Sequence, residues 1–98
     1  MTDFKKLSGF EWDKGNLDKS YQKHNITPNE TEEIFLDENV KIEEDIKHQE
    51  QEQRFIAIGK TTENKILFVV FTVRSNQVRV ISGRLANKKE REVYYKKV

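Results

Sequence analysis

The sequence predicts an α+β domain in which helices cover part of an antiparallel β-sheet. Two capping boxes, "TPNE" from Thr27 to Glu30 and "NKKE" from Asn87 to Glu90, mark helix starts. Between them lie four short runs that are apolar or alternate between apolar and polar residues, as strands do. Turn residues in "KTTEN" and "RSNQ" favour hairpin connections between these runs. Two N-terminal helices, a strand meander and a C-terminal helix are therefore predicted.

The first predicted helix follows the short apolar segment "GFEW". It starts at Asp13, a good N-cap, and ends at Asn25, because asparagine tolerates the left-handed conformation that terminates helices. One face of this helix carries residues spaced by four and three positions: Leu17, Tyr21 and His24.

The second predicted helix starts at Pro28, since Thr27 can cap it and proline fits the first helical position. Ile34 and Phe35 are its predicted buried residues. Residues 37–39 are its predicted exit.

The strand-like runs are "VKIEEDI" at 40–46, "RFIAIG" at 54–59, "KILFVVFTV" at 65–73 and "VRVISGR" at 78–84. The third run is apolar at consecutive positions, which is typical of a strand buried on both faces. We therefore predict that residues 65–73 form the central strand, with Phe68, Val70 or their neighbours buried on both faces.

The closing helix is predicted to start at Asn87 and to turn Ala86, Val93 and Tyr94 toward the interior. Of the adjacent Tyr94 and Tyr95, one should be buried and the other partly exposed.

The chain has 98 residues and no cysteine. This length predicts a single domain, 1–98. The absence of cysteine excludes disulfides and thiolate metal sites, and suits a reducing cytosol. No apolar run approaches the roughly 20 residues of a membrane span, so we expect a cytoplasmic protein.

Charge is distributed unevenly along the chain. Residues 1–53 hold seven Lys/Arg and fourteen Asp/Glu, a net charge of −7, whereas residues 54–98 hold eleven and three, a net charge of +8. This asymmetry favours a cationic surface for a polyanion if the fold places those charges together. Two solvated halves that attract each other are the alternative.

Four polar residues are candidates for acid–base chemistry. His24 and His48 are the two histidines, and a general acid or base near neutral pH would most simply be one of them. A capping role for His24 and a loop position for His48 are the structural alternatives. Glu52 and Arg54 share a strand face, where they form either an ion pair or a base beside a cation.

Glu43 and Asp45 also share a strand face, which raises the option of a metal-dependent nuclease. Hard cations require several converging oxygens, and alternating carboxylates more often form a solvated face. We predict neither a metal site nor a cofactor.

The segment "RVISGR" sets Arg79 and Arg84 into an apolar run. Five positions apart, they would point to opposite faces of a regular strand, but a bulge at Gly83 would redirect Arg84. Both could then line one concave, phosphate-binding surface together with Arg54. The alternative is that each arginine pairs with an acidic residue of the first half.

The ordered segments "FEWD", "KH" at 23–24, "EEIF", "H" with "EQR" at 48–54, "IG", "LFVVFT", "RVISGR" and "KKEREVYY" closely resemble the BrnT family of type II toxin–antitoxin toxins. The similarity runs from Phe10 to about Lys96. It implies a RelE-like fold, a growth-arresting ribonuclease activity and a BrnA-like antitoxin partner with a ribbon-helix-helix-type DNA-binding region, through which alone operator DNA would be contacted.

The resemblance also implies a set of polar site positions: His48, Glu52, Arg54, Arg79, Arg84, Glu90 and Tyr94. Metal-independent cleavage by the neighbouring 2′-hydroxyl requires a base, cations and an acid. The predicted catalytic residues are Arg79, Arg84, Glu52, Arg54, His48 and Tyr94. The predicted RNA contacts are Arg91, Lys88, Lys97 and His24. A non-catalytic RNA-binding or co-repressor module is the alternative.

The chain departs from the family pattern at three positions. Asn25 replaces the usual glycine, Ser20 the usual asparagine, and Gly83 the alanine of "ISAR". Asparagine at a helix end is tolerated, Gly83 would loosen its strand, and Ser20 could remove a side-chain contact.

Overall fold

A computed structural model describes residues 9–12, 26–46 and 53–96. The elements are β1 (Gly9–Trp12), α1 (Pro28–Glu33) with a 3₁₀ turn (Ile34–Leu36), β2 (Lys41–Glu44), β3 (Phe55–Lys60), β4 (Ile66–Arg74), β5 (Gln77–Leu85) and α2 (Lys88–Tyr95). The sheet order is β1-β5-β4-β3-β2, and among these described strands β1 alone pairs in parallel. The α+β class, the antiparallel meander β2 to β5 and the central position of β4 are confirmed. Leu67, Val69 and Phe71 are fully buried on one face of β4, whereas Phe68 and Val70, predicted to be buried, are half-buried on the other.

The N-terminal region differs from the prediction in one respect. The "GFEW" segment forms β1, an edge strand parallel to β5, for which the sequence carried no strand prediction. The partner strand lies more than sixty positions later in the chain, so no local sequence pattern predicts this pairing. The first predicted helix, 13–25, lies outside the described residues.

Both predicted capping boxes are present. The Thr27 hydroxyl accepts a hydrogen bond from the Glu30 N–H (3.2 Å), and the Glu30 carboxylate accepts one from the Thr27 N–H (3.1 Å). Asn87 and Glu90 exchange the same pair of bonds at 2.9 and 2.8 Å. Each box satisfies two backbone donors that a helix start would otherwise leave unpaired, which is why both helices begin where the sequence places them.

The main core lies between the sheet and the layer formed by α1 and the 3₁₀ turn. Ile34 is fully buried, as predicted, whereas Phe35, also predicted to be buried, is half-buried. The Phe71 ring packs edge-on against Phe35 (centroids 5.1 Å apart) and stacks on Phe55 (5.4 Å). The fully buried or nearly buried members of this core are Ile26, Ile34, Phe55, Ala57, Leu67, Val69, Phe71, Val78 and Val80. Strand β4 contributes the most deeply buried side chains, in keeping with its central position.

Both hairpin connections are confirmed, and left-handed residues shape them. Ser75 and Asn76 have φ of 50° and 63°, as the two central residues of a tight hairpin between β4 and β5 require. Asn64, with φ 67°, closes the longer connection between β3 and β4. These turns set the register in which β4 meets its two neighbours.

A β-bulge interrupts the pairing of β4 with β5. Val70 lies opposite Ser82 and Phe71 lies opposite Val80, which leaves Ile81 as an extra residue in β5. An extra residue reverses the in–out alternation of the strand beyond it. The bulge was predicted at Gly83, and this position was wrong; it lies two residues earlier.

The bulge places both arginines of "RVISGR" on one face, as predicted. Arg79 lies opposite Thr72 and Arg84 lies opposite Phe68, two positions of β4 that share a side of the sheet. Gly83 instead faces Thr31 of α1, on the other side. We call the side of the sheet that carries Ile56, Ile58, Phe68, Val70, Thr72, Arg79 and Arg84 the arginine face.

Helix α2 covers one end of the arginine face. Ala86 and Tyr94 form a second core cluster there with Ile58 and Ile66. Tyr94 is buried and Tyr95 is 59 % exposed, which confirms the prediction for the two tyrosines. Val93, predicted to face inward, is 43 % exposed. That prediction was wrong, because the buried side of the helix is set by Tyr94, one position or about 100° further round.

No helix in the described part of the chain has the length and apolar character needed to cross a membrane.

Candidate functional site

One row across the arginine face places Thr72 between two arginines. Arg79 of β5 lies directly opposite Thr72, and Arg54 immediately precedes Phe55, which is paired with Phe71. The buried Thr72 hydroxyl donates to the Gln53 carbonyl oxygen at 2.8 Å and so ties the start of β3 to β4. With adjacent strands about 4.8 Å apart, the two arginine backbones lie roughly 10 Å apart across β4. Both arginines are half-buried.

A second row carries Arg84, whose guanidinium is held in a defined orientation. Its two terminal nitrogens donate to the two carboxylate oxygens of Glu90 at 2.7 and 2.8 Å. The guanidinium carbon lies 4.2 Å from the centroid of the Phe68 ring. The side chain remains 38 % exposed, against 15 % for Glu90. Arg84 is therefore stacked and paired, yet still reaches solvent.

Pairing of Arg84 with Glu90 changes the pKa values of both side chains. Burial alone would raise the pKa of Glu90, but hydrogen bonds from the Arg84 guanidinium and the Asn87 N–H outweigh it and lower that pKa. The hydrogen bond to Glu90 raises the pKa of Arg84. The acidic partner of Arg84 is Glu90, from the second half of the chain. The alternative prediction, that the arginine pairs with an acidic residue of the first half, is wrong for Arg84. The same Glu90 carboxylate caps α2, so the position of this helix determines that of the Arg84 guanidinium.

The two rows are separated along the strands. Phe68 and Thr72, which mark them on β4, are four residues apart, or about 13 Å in an extended strand. Arg84 thus lies at one end of the exposed part of the arginine face, beside α2, and Arg54 and Arg79 lie at the other.

Tyr94 of α2 forms a hydrogen bond with Asp37, which directly follows the 3₁₀ turn on the other side of the sheet. Its hydroxyl donates to Asp37 at 2.5 Å, and the same carboxylate oxygen accepts the Lys60 N–H at 2.9 Å. Burial and the bond to Asp37 raise the pKa of Tyr94. Burial would also raise the pKa of Asp37, but the hydrogen bonds from Tyr94, Lys60 and Asn39 outweigh it and lower that pKa. This contact fastens α2 to the opposite layer of the molecule.

The lowered pKa values of Asp37 and Glu90 predict a loss of stability in acid. A carboxylate whose pKa is lower in the folded chain stabilises it fully above the unfolded pKa, near 3.8 for Asp37 and 4.5 for Glu90, and less as pH falls through the folded value. Urea melts between pH 7 and about pH 2.5 should therefore show falling stability below these values. Asp37→Asn should flatten this dependence and be less stable than wild type at pH 7. Equal pH slopes in the variant and wild type would contradict this assignment.

The remaining predicted cations lie on α2 where the structure describes them. Lys88 and Arg91 are exposed, and one Arg91 terminal nitrogen donates to the Ala86 carbonyl oxygen at 2.8 Å. Residues 26–40, on the other side of the sheet, hold five acidic residues and no Lys or Arg. The charge asymmetry of the sequence thus becomes, over the described residues, an acidic α1 layer opposite a face rich in arginine. His24, His48, Glu52 and Lys97 lie outside the described residues.

Three residues of this site were missed by the sequence reasoning. Phe68 was assigned to the core, although it supports the Arg84 guanidinium. Asp37 was assigned only to a helix exit, and Lys60 to no role. In a regular strand without the bulge, Phe68 would lie opposite neither Arg79 nor Arg84. The pairing of Phe68 with Arg84 therefore could not be predicted from strand alternation. In residues 26–46 and 53–96, no group of three or more His, Asp or Glu residues is arranged to hold a metal ion.

Comparisons with known proteins agree with this architecture. A family model described as "Ribonuclease toxin, BrnT, of type II toxin-antitoxin system" matches residues 12–90. The crystal structure of the Brucella abortus ribonuclease toxin BrnT is similar, with a TM-score of 0.62 and 22 % sequence identity, over 82 % of this chain and 97 % of that one. This likeness shows a shared fold. No curated protein matches the sequence.

Proposed function

Because the chain belongs to the BrnT family of ribonuclease toxins of type II toxin–antitoxin systems, we propose that it arrests growth by cleaving RNA without a metal ion. The observation that carries this proposal is the arginine face, where a bulge brings Arg79 and Arg84 to the same side of the sheet and Arg54 immediately precedes β3. Three guanidinium groups on one partly exposed surface match the charge and geometry of a phosphate backbone.

The proposed reaction uses the ribose next to the scissile phosphate. A base removes the proton of the 2′-hydroxyl, the 2′-oxygen attacks phosphorus, and the bond from phosphorus to the 5′-oxygen breaks as that oxygen gains a proton. Glu52 and His48 are the candidate bases, and Tyr94 is the candidate acid. The arginines stabilise the extra negative charge on the phosphate oxygens in the transition state.

The separation of the two rows supports different roles for the arginines. Positions about 13 Å apart along a strand suit contacts with more than one phosphate better than contacts with a single one. We assign at least one of Arg79 and Arg84 to the scissile phosphate. If only one contacts it, the other contacts a neighbouring phosphate. Exposed Lys88 and Arg91 extend the cationic surface along α2.

The family implies an antitoxin partner. We propose that it is BrnA-like, carries a ribbon-helix-helix-type region that binds operator DNA, and covers the arginine face. A RelE-like relationship of the fold belongs to the same proposal. The acidic α1 layer is the less suitable surface for an inhibitor of RNA binding, because RNA would not bind there.

A second candidate function is a non-catalytic RNA-binding or co-repressor module. Two of the proposed catalytic groups already have hydrogen-bond partners. The Arg84 guanidinium donates to Glu90, and the Tyr94 hydroxyl donates to Asp37. Catalysis requires RNA to replace at least one of these partners.

Induced expression in the absence of antitoxin distinguishes the two functions. A ribonuclease toxin should stop growth, and co-expressed antitoxin should restore it. The purified protein should cleave single-stranded RNA equally well with and without EDTA. Growth arrest with EDTA-insensitive cleavage supports the enzyme. Tight RNA binding with neither arrest nor cleavage would establish the binding module, and cleavage abolished by EDTA would refute metal independence.

A further inference from the structure

An exposed aromatic ring beside a lysine lies at the end of α2. Tyr95 is 59 % exposed, although tyrosines usually bury much of their ring area. The Tyr95 ring packs edge-on against Tyr94, with centroids 5.1 Å apart and an angle of 80° between the rings. The Lys60 ammonium nitrogen lies 5.2 Å from the Tyr95 centroid.

Rigid elements hold this ring in place. Tyr94, which packs against it nearly at right angles, is buried and hydrogen-bonded to Asp37. Lys60 ends β3, and its backbone N–H donates to the same carboxylate. Stacking of a ligand on Tyr95 would therefore cost little conformational entropy, because the side chain is already held in place. A supported aromatic surface with an adjacent ammonium group is the chemistry that binds single-stranded nucleic acid, because the ring stacks on a base and the cation attracts the phosphate.

The position of the ring connects it to the proposed site. Glu90, which pairs with Arg84, precedes Tyr95 by five residues on the same helix, or about 7.5 Å along its axis. Five residues also turn the helix by about 140°, so a flexible single strand whose phosphate contacts Arg84 reaches Tyr95 by passing round the end of α2.

We propose that Tyr95 and Lys60 form a subsite that stacks one base of single-stranded RNA and contacts its phosphate. This inference rests on the proposed RNA-cleaving function and adds a binding site outside the catalytic residues. The subsite binds any base, since stacking requires only a π-face.

The test measures binding of a short 2′-O-methyl RNA, which cannot be cleaved because its attacking hydroxyl is blocked. Tyr95→Ala should weaken binding by roughly 5- to 100-fold, the usual range for loss of one stacked base. Tyr95→Phe should bind like wild type, since the ring remains. Val93→Ala, which trims another exposed side chain of α2, is the matched control and should have no effect. Lys60→Gln should lower the slope of log affinity against log salt by about 0.7.

An RNA series with a single abasic nucleotide at each position locates the stacked base. At the correct position, the abasic substitution should weaken wild-type binding and leave Tyr95→Ala binding unchanged. Unchanged binding by Tyr95→Ala, or an equal loss with Tyr95→Phe, would overturn the stacking role while leaving the proposed function standing. Loss of antitoxin binding alone would identify the ring as a protein contact and overturn the subsite. If wild type does not bind RNA at all, both the proposed function and the subsite fail.

Discussion

Alanine at whichever of Arg79 and Arg84 contacts the scissile phosphate is expected to abolish growth arrest while the protein stays folded. Removal of a donor that stabilises a phosphate in the transition state typically lowers a rate by about a hundredfold or more. Lysine should substitute poorly at either position, because a point charge lacks the planar fork that binds two oxygens at once. The measurements are growth after induction and single-turnover cleavage of RNA, with a thermal melt of each variant.

Arg74 provides a control for the loss of one positive charge. It is an exposed arginine at the end of β4, outside the predicted site. Arg74→Ala should reduce RNA affinity only modestly and leave cells arrested. A loss of toxicity with Arg74→Ala equal to that with Arg79→Ala would indicate general electrostatics and not a specific site.

The Arg84–Glu90 pair requires a further control. Arg84→Ala leaves the largely buried Glu90 carboxylate without its partner, which destabilises the fold independently of catalysis. The double variant Arg84→Ala/Glu90→Gln removes that unpaired charge, and glutamine can still complete the capping box. If Arg84 acts on phosphate, the double variant should regain stability but not toxicity. Recovery of toxicity would show that Arg84 is structural, and would move the site toward His48, Glu52 and Arg54.

A methyl group at Gly59 is expected to destabilise the fold by about 1–3 kcal/mol, as overpacking of a dense core does. An added Cβ would lie 2.8 Å from the Ile34 Cβ and 3.0 Å from the Ile34 carbonyl oxygen. Neither atom can move without displacing the 3₁₀ turn from the sheet. In a domain of this size, each kcal/mol lowers the melting temperature by about 4–8 °C. Melting of Gly59→Ala at the wild-type temperature would contradict the close approach.

Gly83→Ala is the matched substitution and should act in the opposite direction. An added Cβ there would meet Thr31 Oγ1 and Val69 Cγ2, each at the ordinary contact distance of 3.7 Å. Alanine in a strand restricts the unfolded chain more than glycine does, so we expect a gain of about 0.4–1 kcal/mol. A destabilised Gly83→Ala variant would show that the strand there requires glycine.

Features that depend on residues close together in the chain follow from the amino-acid sequence alone. The Thr27–Glu30 and Asn87–Glu90 boxes join residues three positions apart, so composition and spacing suffice to place both helix starts. The apolar run 65–73 was enough to indicate a central strand, because consecutive apolar residues are typical of such a strand. The half-burial of Phe68 and Val70 on the arginine face did not follow from it. The resemblance to the BrnT family could likewise be recognised from the sequence, because it rests on the order of short segments along the chain.

How distant segments of the chain meet depends on the packing of the folded protein. The extra residue at Ile81 became a bulge through its register with β4, and this register alone put Arg79 and Arg84 on one face. The bond between Asp37 and Tyr94 joins residues 57 positions apart. Such contacts depend on which layers pack together, and packing selects one arrangement from many that local preferences permit equally. For that reason the sequence could name the arginines of the site, but the support of Arg84 by Phe68 and Glu90 became visible only in the folded chain.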